Sequence, residues 1–179
     1  MKKIIFMAVV CSTALFSGCI TDGAGKNGDR VNKPEIYKLD LDNDGIKEIT
    51  KVEKSTEPDK KSVITISSLR REEIDSFSVG GKLNKVDFID LNEDGFKQIA
   101  VFSRDTQEKY NLAIYKMKNN QLFRLFSIAS SCGIDTDFST VLSRIRVCKS
   151  GCEGEYYANN IINWEVWVWS GERFIREVQ

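Results

Sequence analysis

The sequence predicts an all-β protein, and three observations carry that prediction. Short runs rich in β-branched and aromatic residues alternate apolar with polar positions, which is the strand period. No segment sustains the 3.6-residue period of an amphipathic helix; Arg70 to Ser76 is the best short candidate for one. A ten-residue sequence rich in Asp and Gly occurs twice, 50 residues apart, each time between two strand-like runs.

At the N-terminus, Met1-Lys2-Lys3 is a basic start, followed by an apolar run from Ile4 to Phe16 with only Ser12 and Thr13 as polar members. A membrane span needs about 20 apolar residues, so this run fits instead the apolar stretch of a secretory signal, about 7–15 residues long. It ends in Leu15-Phe16-Ser17-Gly18-Cys19, which resembles the lipobox of bacterial lipoproteins. The resemblance implies cleavage after Gly18 and lipidation of Cys19, with residues 1–18 as the signal. Several acyl chains on one residue give stable membrane anchoring. Ile20 rather than Asp follows Cys19, and in a Gram-negative host this resembles the pattern of outer-membrane lipoproteins. The expected location is therefore the cell envelope.

Residues 19–33 then form a polar stretch without hydrophobic period (Thr21 to Lys33 reads TDGAGKNGDRVNK), expected to be a flexible tether. At about 5–6 Å × √n, it would hold the domain roughly 20 Å from the anchor. The folded domain is expected over residues 34–179.

Within that domain the strands follow one another. Ile36–Leu39 and Ile46–Val52 flank the first Asp/Gly sequence, and Val86–Ile89 and Phe96–Ser103 flank the second. Lys61–Ser67 is β-branched and alternating. Tyr110–Met117 and Gln121–Ile128 enclose Lys118-Asn119-Asn120, a hairpin turn because Asn tolerates positive φ. Ile161–Trp169 and Arg173–Val178 enclose Ser170-Gly171-Glu172 as a second hairpin. In Trp164 to Trp169, alternation places Trp164, Val166 and Val168 on one face and Trp167 and Trp169 on the other. The Trp167/Trp169 face, with Tyr156-Tyr157, reads either as an aromatic contact surface, given the enrichment of these residues in binding hot spots, or as packing within the last sheet.

The repeated sequence is Asp40-Leu-Asp-Asn-Asp-Gly-Ile-Lys-Glu-Ile49 and Asp90-Leu-Asn-Glu-Asp-Gly-Phe-Lys-Gln-Ile99, identical at six of ten positions. A repeat of this period suggests one supersecondary unit per copy. Calcium takes six to eight oxygen ligands at about 2.3–2.6 Å, and acidic side chains at loop positions 1, 3 and 5 converge on one point. A Gly at position 6 turns the chain around that point, and a carbonyl at position 7 can join. The first loop offers Asp40, Asp42 and Asp44, the Ile46 carbonyl and Glu48. The second offers Asp90, Asn92, Asp94, the Phe96 carbonyl and Gln98. With four carboxylates against two, the first loop is expected to be the stronger site. Position 12 is Lys51 or Val101 rather than Glu, which excludes an EF-hand. A third, partial copy at Ile134-Asp-Thr-Asp-Phe138 lacks the Asp-Gly pair.

This loop pattern between strands resembles the FG-GAP or VCBS-type repeats of calcium-binding β-propellers. The resemblance implies antiparallel propeller-like repeats, here about three four-stranded blades or an open or sandwich-like variant. Closed propellers have typically 4–8 blades, so assembly between chains also stays open. Resemblance to envelope lipoproteins that carry such loops implies a binding or adhesion module for a protein or glycan partner, or alternatively an inhibitor or immunity lipoprotein that blocks a lysozyme-like wall hydrolase.

Composition narrows the remaining classes. The chain has 26 basic and 26 acidic residues, and loss of Lys2 and Lys3 with the signal leaves a net charge of −2 without a basic stripe, which argues against nucleic-acid binding. It contains no histidine, which removes the usual base of Ser-His and Cys-His nucleophiles. No nucleotide-binding glycine motif occurs, and an enzyme is not expected. Of the domain's three cysteines, Cys132, Cys148 and Cys152, export favours one disulfide. Cys132–Cys148 is the expected pair and Cys148–Cys152 the alternative.

Overall fold

The computed structural model describes residues 33–57, 60–70, 72–138, 143–150 and 163–178, which belong to one compact unit, Val31–Gln179. The expected signal, the expected lipidation site Cys19, Cys152 and Tyr156-Tyr157 lie outside the described residues. Among those described there are twelve strands and no helix. They are β1 (Glu35–Leu39), β2 (Glu48–Glu53), β3 (Ser62–Ser67), β4 (Glu73–Val79), β5 (Lys82–Ile89) and β6 (Gln98–Arg104). The second half contains β7 (Tyr110–Lys118), β8 (Gln121–Ser130), β9 (Ile134–Asp137), β10 (Arg144–Ser150), β11 (Asn163–Trp169) and β12 (Phe174–Arg176). They form three four-stranded antiparallel sheets in the orders β1-β2-β3-β4, β5-β6-β7-β8 and β12-β11-β10-β9, none closed into a barrel.

Each sheet is a meander, so strands adjacent in sequence are adjacent in space and each connection can be a short hairpin. The tightest of these is the expected turn of β7 and β8. Lys118 pairs with Gln121, and Asn119 and Asn120 between them have φ of 52° and 58°. Two positive φ angles are the requirement of the type I′ turn, whose twist matches the flanking strands.

The weak helical period at Arg70 to Ser76 does not produce a helix. Glu73–Val79 is β4, where Asp75 and Phe77 lie opposite Ile66 and Ile64 of β3. Ile74 and Phe77 pack against the first core, so ladder bonds and burial override a short local pattern. Likewise Ile134–Asp137 is β9, paired with β10, and does not form a third Asp loop.

The burial pattern explains why the strands read differently. β2 and β3 alternate between buried and half-buried residues because only one of their faces meets another sheet. In β6, Ile99, Ala100 and Val101 are all buried. Ile99 and Val101 join a core shared with Leu41, Val52, Ile64 and Ile66 of the first sheet. Ala100 and its neighbour Phe102 join a second core with Ile145, Val147, Trp169 and Phe174 of the third. The middle sheet is therefore covered on both sides, and β6 carries a continuous apolar run from Ile99 to Phe102.

The two junctions are not equivalent. The first and second sheets approach through β4 and β8, the fourth strand of each. The second and third approach through β8 with β10 and β7 with β9. Continuation of the first arrangement would instead set β8 against β12.

Because Ile99 is 1% exposed and faces the first core, Ile99→Ala is expected to cost about 2–5 kcal/mol in denaturant unfolding. Ile36→Ala, at a site 60% exposed, is expected to change stability by less than about 0.5 kcal/mol. Equal effects would contradict the placement of the core.

Candidate metal centre

Both Asp/Gly sequences form the same loop between two strands, β1 and β2 in one case and β5 and β6 in the other. The Leu at position 2 anchors each: Leu41 is buried in the first core and Leu91 in the second. Each buried Leu exposes its N–H to an acceptor from position 9. The Leu41 N–H donates to Glu48 Oε2 at 2.8 Å, and the Leu91 N–H donates to Gln98 Oε1 at 2.9 Å. The residue at position 1 accepts from the glycine at position 6, Gly45 to Asp40 at 2.9 Å and Gly95 to Asp90 at 3.0 Å. These glycines have φ of 85° and 88°, a conformation costly to any residue with a Cβ. Position 5 accepts from position 7, Ile46 to Asp44 at 2.7 Å and Phe96 to Asp94 at 2.9 Å. The backbone is thus one design used twice, and only the side chains distinguish the loops.

In the first loop, Asp40, Asp42 and Glu48 each direct a carboxylate oxygen to a common region, with the three oxygens within 4.8 Å of one another. Two oxygens bound about 2.4 Å from one ion lie at most about 4.8 Å apart, so the separation suits a shared cation. Glu48 is only 4% exposed. Burial, followed by the negative charges of Asp42 and Asp44, pushes its carboxyl above the ordinary value, against the opposing Leu41 N–H. One oxygen of Asp40, Oδ1, is shut off from solvent and has no hydrogen-bond partner. Buried polar atoms are nearly always partnered, so this oxygen, beside the buried Glu48 carboxyl, marks the loop as a candidate cation site. Asp44 falls outside the group of three, and Ile46 offers its N–H to Asp44.

The second loop answers the same demand from within the chain. Lys97 Nζ lies 3.3 Å from Asp90 Oδ2. Burial pushes the Asp90 carboxyl up, but the Gly95 N–H, the Lys97 ammonium and the Asp94 N–H outweigh it and hold it below the ordinary value. Gln98 Nε2 donates to the Phe96 carbonyl at 3.0 Å, which occupies the backbone oxygen expected as a ligand. Asn92 Nδ2 donates to Asp94 Oδ2 at 3.2 Å, and Asn92 Oδ1 accepts from the Trp169 indole N–H. Each of the five expected donor residues is thus engaged by the protein, and an ammonium sits where the first loop lacks one. Lys47, the counterpart of Lys97, is exposed and makes no ion pair among the described residues.

The aromatic face expected from Trp167 and Trp169 is packing rather than open surface. Trp169 is 7% exposed, and Trp167 meets Phe126 edge-on with ring centroids 5.3 Å apart. The expected Cys132–Cys148 bridge is not formed: Cys132 is a free thiol, and Cys148 is disulfide-bonded to a partner outside the described residues. The reason lies in the register of β9 and β10. Val147 opposes Ile134, and the Cys148 N–H donates to the Gly133 carbonyl at 2.9 Å. Beyond this point the ladder stops: the Cys132 and Gly133 N–H groups both donate to Ser130 Oγ, at 3.2 and 3.0 Å, so Cys132 sits in a bend before β9 and not opposite β10.

No protein-family model, curated protein or solved structure matches the chain.

Gln98 shows that an uncharged amide keeps the bond to the position-2 N–H, so Glu48→Gln is the sharpest test of the first loop. In chelator and at neutral pH the variant is expected to melt higher than the parent, because a buried carboxylate beside Asp42 is removed. Glu48 carries a raised carboxyl, so its charge costs stability as the pH rises through its folded range. Below that range the parent is protonated and the difference fades. A variant less stable than the parent at neutral pH would overturn this account.

Proposed function

We propose that this chain is a lipid-anchored envelope protein that serves as a calcium-stabilised binding module for a protein or glycan partner, with the cation held by Asp40, Asp42 and Glu48. One observation carries the reading: three carboxylates gather in one loop, and one of them, Asp40, holds a buried oxygen without a hydrogen-bond partner. The donor set is all oxygen, without thiolate or imidazole, which suits a hard cation such as calcium and not zinc or copper. Three carboxylates leave room for water or further loop oxygens in a shell of six to eight. Asp44 and the Ile46 carbonyl are the candidates nearest in sequence. The second loop, with Lys97 in place, works without a cation.

Three consecutive four-stranded meanders, two of them with the same loop between their first and second strands, support a propeller-like or open-stack reading of the repeats. The Cys19 lipobox supports export and anchoring, and the absence of histidine supports binding rather than catalysis. Calcium would contribute rigidity here: it joins the entrance of β2 to the end of β1 and removes repulsion among the acids.

Extracellular modules bind calcium with Kd of about 10⁻⁴–10⁻³ M. At roughly 10 mM calcium, one such site stabilises the folded state by about 1.4–2.7 kcal/mol, or a rise in Tm of roughly 3–10 °C for a domain of this size. Calorimetric titration with parallel melts in calcium and chelator checks this. The heat and the thermal shift should vanish in Asp42→Ala and persist in Asp94→Ala. Absence of both signals in the parent protein would refute the calcium reading.

Anchoring has its own test in cells fed a labelled fatty acid. The parent chain should incorporate the label and Cys19→Ala should not; equal labelling would exclude Cys19 as the attachment site.

A further inference from the structure

The middle sheet carries a concavity at the end of its strands away from the Asp loops. On the face that sends Ile99 and Met117 into the first core, the pairing sets Val101, Ala113 and Ser127 in one row and Ser103 beside Asn111 in the next. Side chains large enough to meet the first sheet give way here to Ser, Ala and Asn. The result is a cleft of about 410 Å³ between the end of β4 and the strands β6 to β8. One wall is the turn from β4 to β5, which lies so close to β6 that a Cβ on Gly81 would collide with the Arg104 carbonyl. The opposite rim is built by an irregularity. The pairing of β7 and β8 shifts between Ile114 and Tyr115, so Phe126 opposes Ile114 and Arg124 opposes Tyr115. Leu125 is the extra residue, and it packs with Phe126 against the second core. Strict alternation would put Arg124 and Ser127 on opposite faces. The bulge re-aims them, and both line the cleft.

Arg124 is exposed and makes no ion pair or hydrogen bond among the described residues. Its guanidinium lies near the Tyr115 phenol, where it opposes the upward push that burial gives that group. Asp75 shares a neighbouring hollow with Arg124, but its two oxygens accept from the Ser76 and Leu122 N–H groups at 2.8 and 3.1 Å. Asn111 gives its Nδ2 to the Lys109 carbonyl at 3.0 Å, which leaves Oδ1 as an acceptor. We propose that this cleft binds a carboxylate-bearing sugar, with the carboxylate on Arg124 and the ring hydroxyls on Ser103, Asn111 and Ser127. A guanidinium holds a planar carboxylate through two parallel N–H bonds. The floor of hydroxyl, amide and methyl groups offers both kinds of contact to a ring that alternates O–H with C–H. The volume lies within the range of small-ligand pockets, about 300–1,000 Å³. The cleft is separate from the Asp loops, so its occupancy does not rest on the calcium reading.

The full chain is titrated separately with D-glucuronate, D-glucose and N-acetyl-alanyl-alanine, and saturation transfer to each ligand is followed by NMR. Chelator is present throughout, so neither the first loop nor calcium held by the sugar contributes. Glucuronate is expected to bind, and glucose to bind at least about tenfold more weakly, because the charge-assisted pair is missing. Arg124→Gln should weaken glucuronate to the level of glucose. Ser127→Trp fills the floor from an exposed position and should abolish the signal, with an unchanged Tm showing that the fold is kept. Should that variant fail to fold, Arg124→Gln, also at an exposed position, carries the test alone. No binding of glucuronate, or binding that survives Arg124→Gln or a folded Ser127→Trp, would overturn the proposal. Glucose as tight as glucuronate would remove the role of Arg124 and with it the carboxylate. Tighter binding of the dipeptide would give the cleft to a peptide carboxyl terminus and end the sugar reading.

Discussion

Burial of the middle sheet on both faces is the constraint from which the rest follows. β6 and β7 send alternate residues into two different cores, Ile99, Val101 and Met117 toward the first sheet and Ala100, Leu112 and Ile114 toward the third. Neither flanking sheet has such a position; each relies on the middle one to cover its apolar face. A full burial of one Ile, Leu or Val side chain stabilises by about 1.5–3 kcal/mol, so two cores on one four-stranded sheet make that sheet the structural centre. It also fixes the loops. Leu41 and Leu91 extend the two cores to the loop ends of the strands, and both Asp loops hang from these anchors.

That anchoring creates the electrostatic problem at which the two loops diverge. A buried Leu backbone N–H needs an acceptor, and position 9 supplies one from a residue that is itself buried. With Gln98 the acceptor is neutral, and the loop is satisfied by an amide and one ammonium. With Glu48 the same bond places a buried carboxyl beside those of Asp40 and Asp42. Buried unpaired charge is among the most expensive arrangements a fold can contain, and a cation is the direct remedy. One backbone geometry therefore gives a structural turn in one sheet and a candidate ion site in the other, with a single Glu-to-Gln difference at the pivot.

The second loop is not an inert copy, since it supplies Asn92 to the Trp169 indole and so ties the middle sheet to the third. This bond lies beside the second core, where Trp169 and Phe174 close over Ile89 and Leu91. Polar loop and apolar core thus hold the same junction.

Much of this was legible in the sequence alone. Alternation specified the strands, paired Asn residues specified the I′ turn, and the repeated Asp-Leu-x-x-Asp-Gly pattern specified two loops of one design and a set of donors, Asp40, Asp42, Asp44, the Ile46 carbonyl and Glu48 in the first, of which the structure groups Asp40, Asp42 and Glu48. These are short-range matters, set by backbone preference and by which side chains share a turn. Tertiary structure decided the rest. Lys47 and Lys97 occupy the same loop position, yet only Lys97 reaches the Asp at position 1 of its loop. Trp169 could be read as surface or core until the third sheet was placed against β7 and β8. The turn around Ser130 Oγ set Cys132 in a bend before β9, and Cys148 bonds elsewhere, although their spacing suits a bridge. In each case the outcome depends on which distant strand lies opposite, and a linear pattern carries no record of that register.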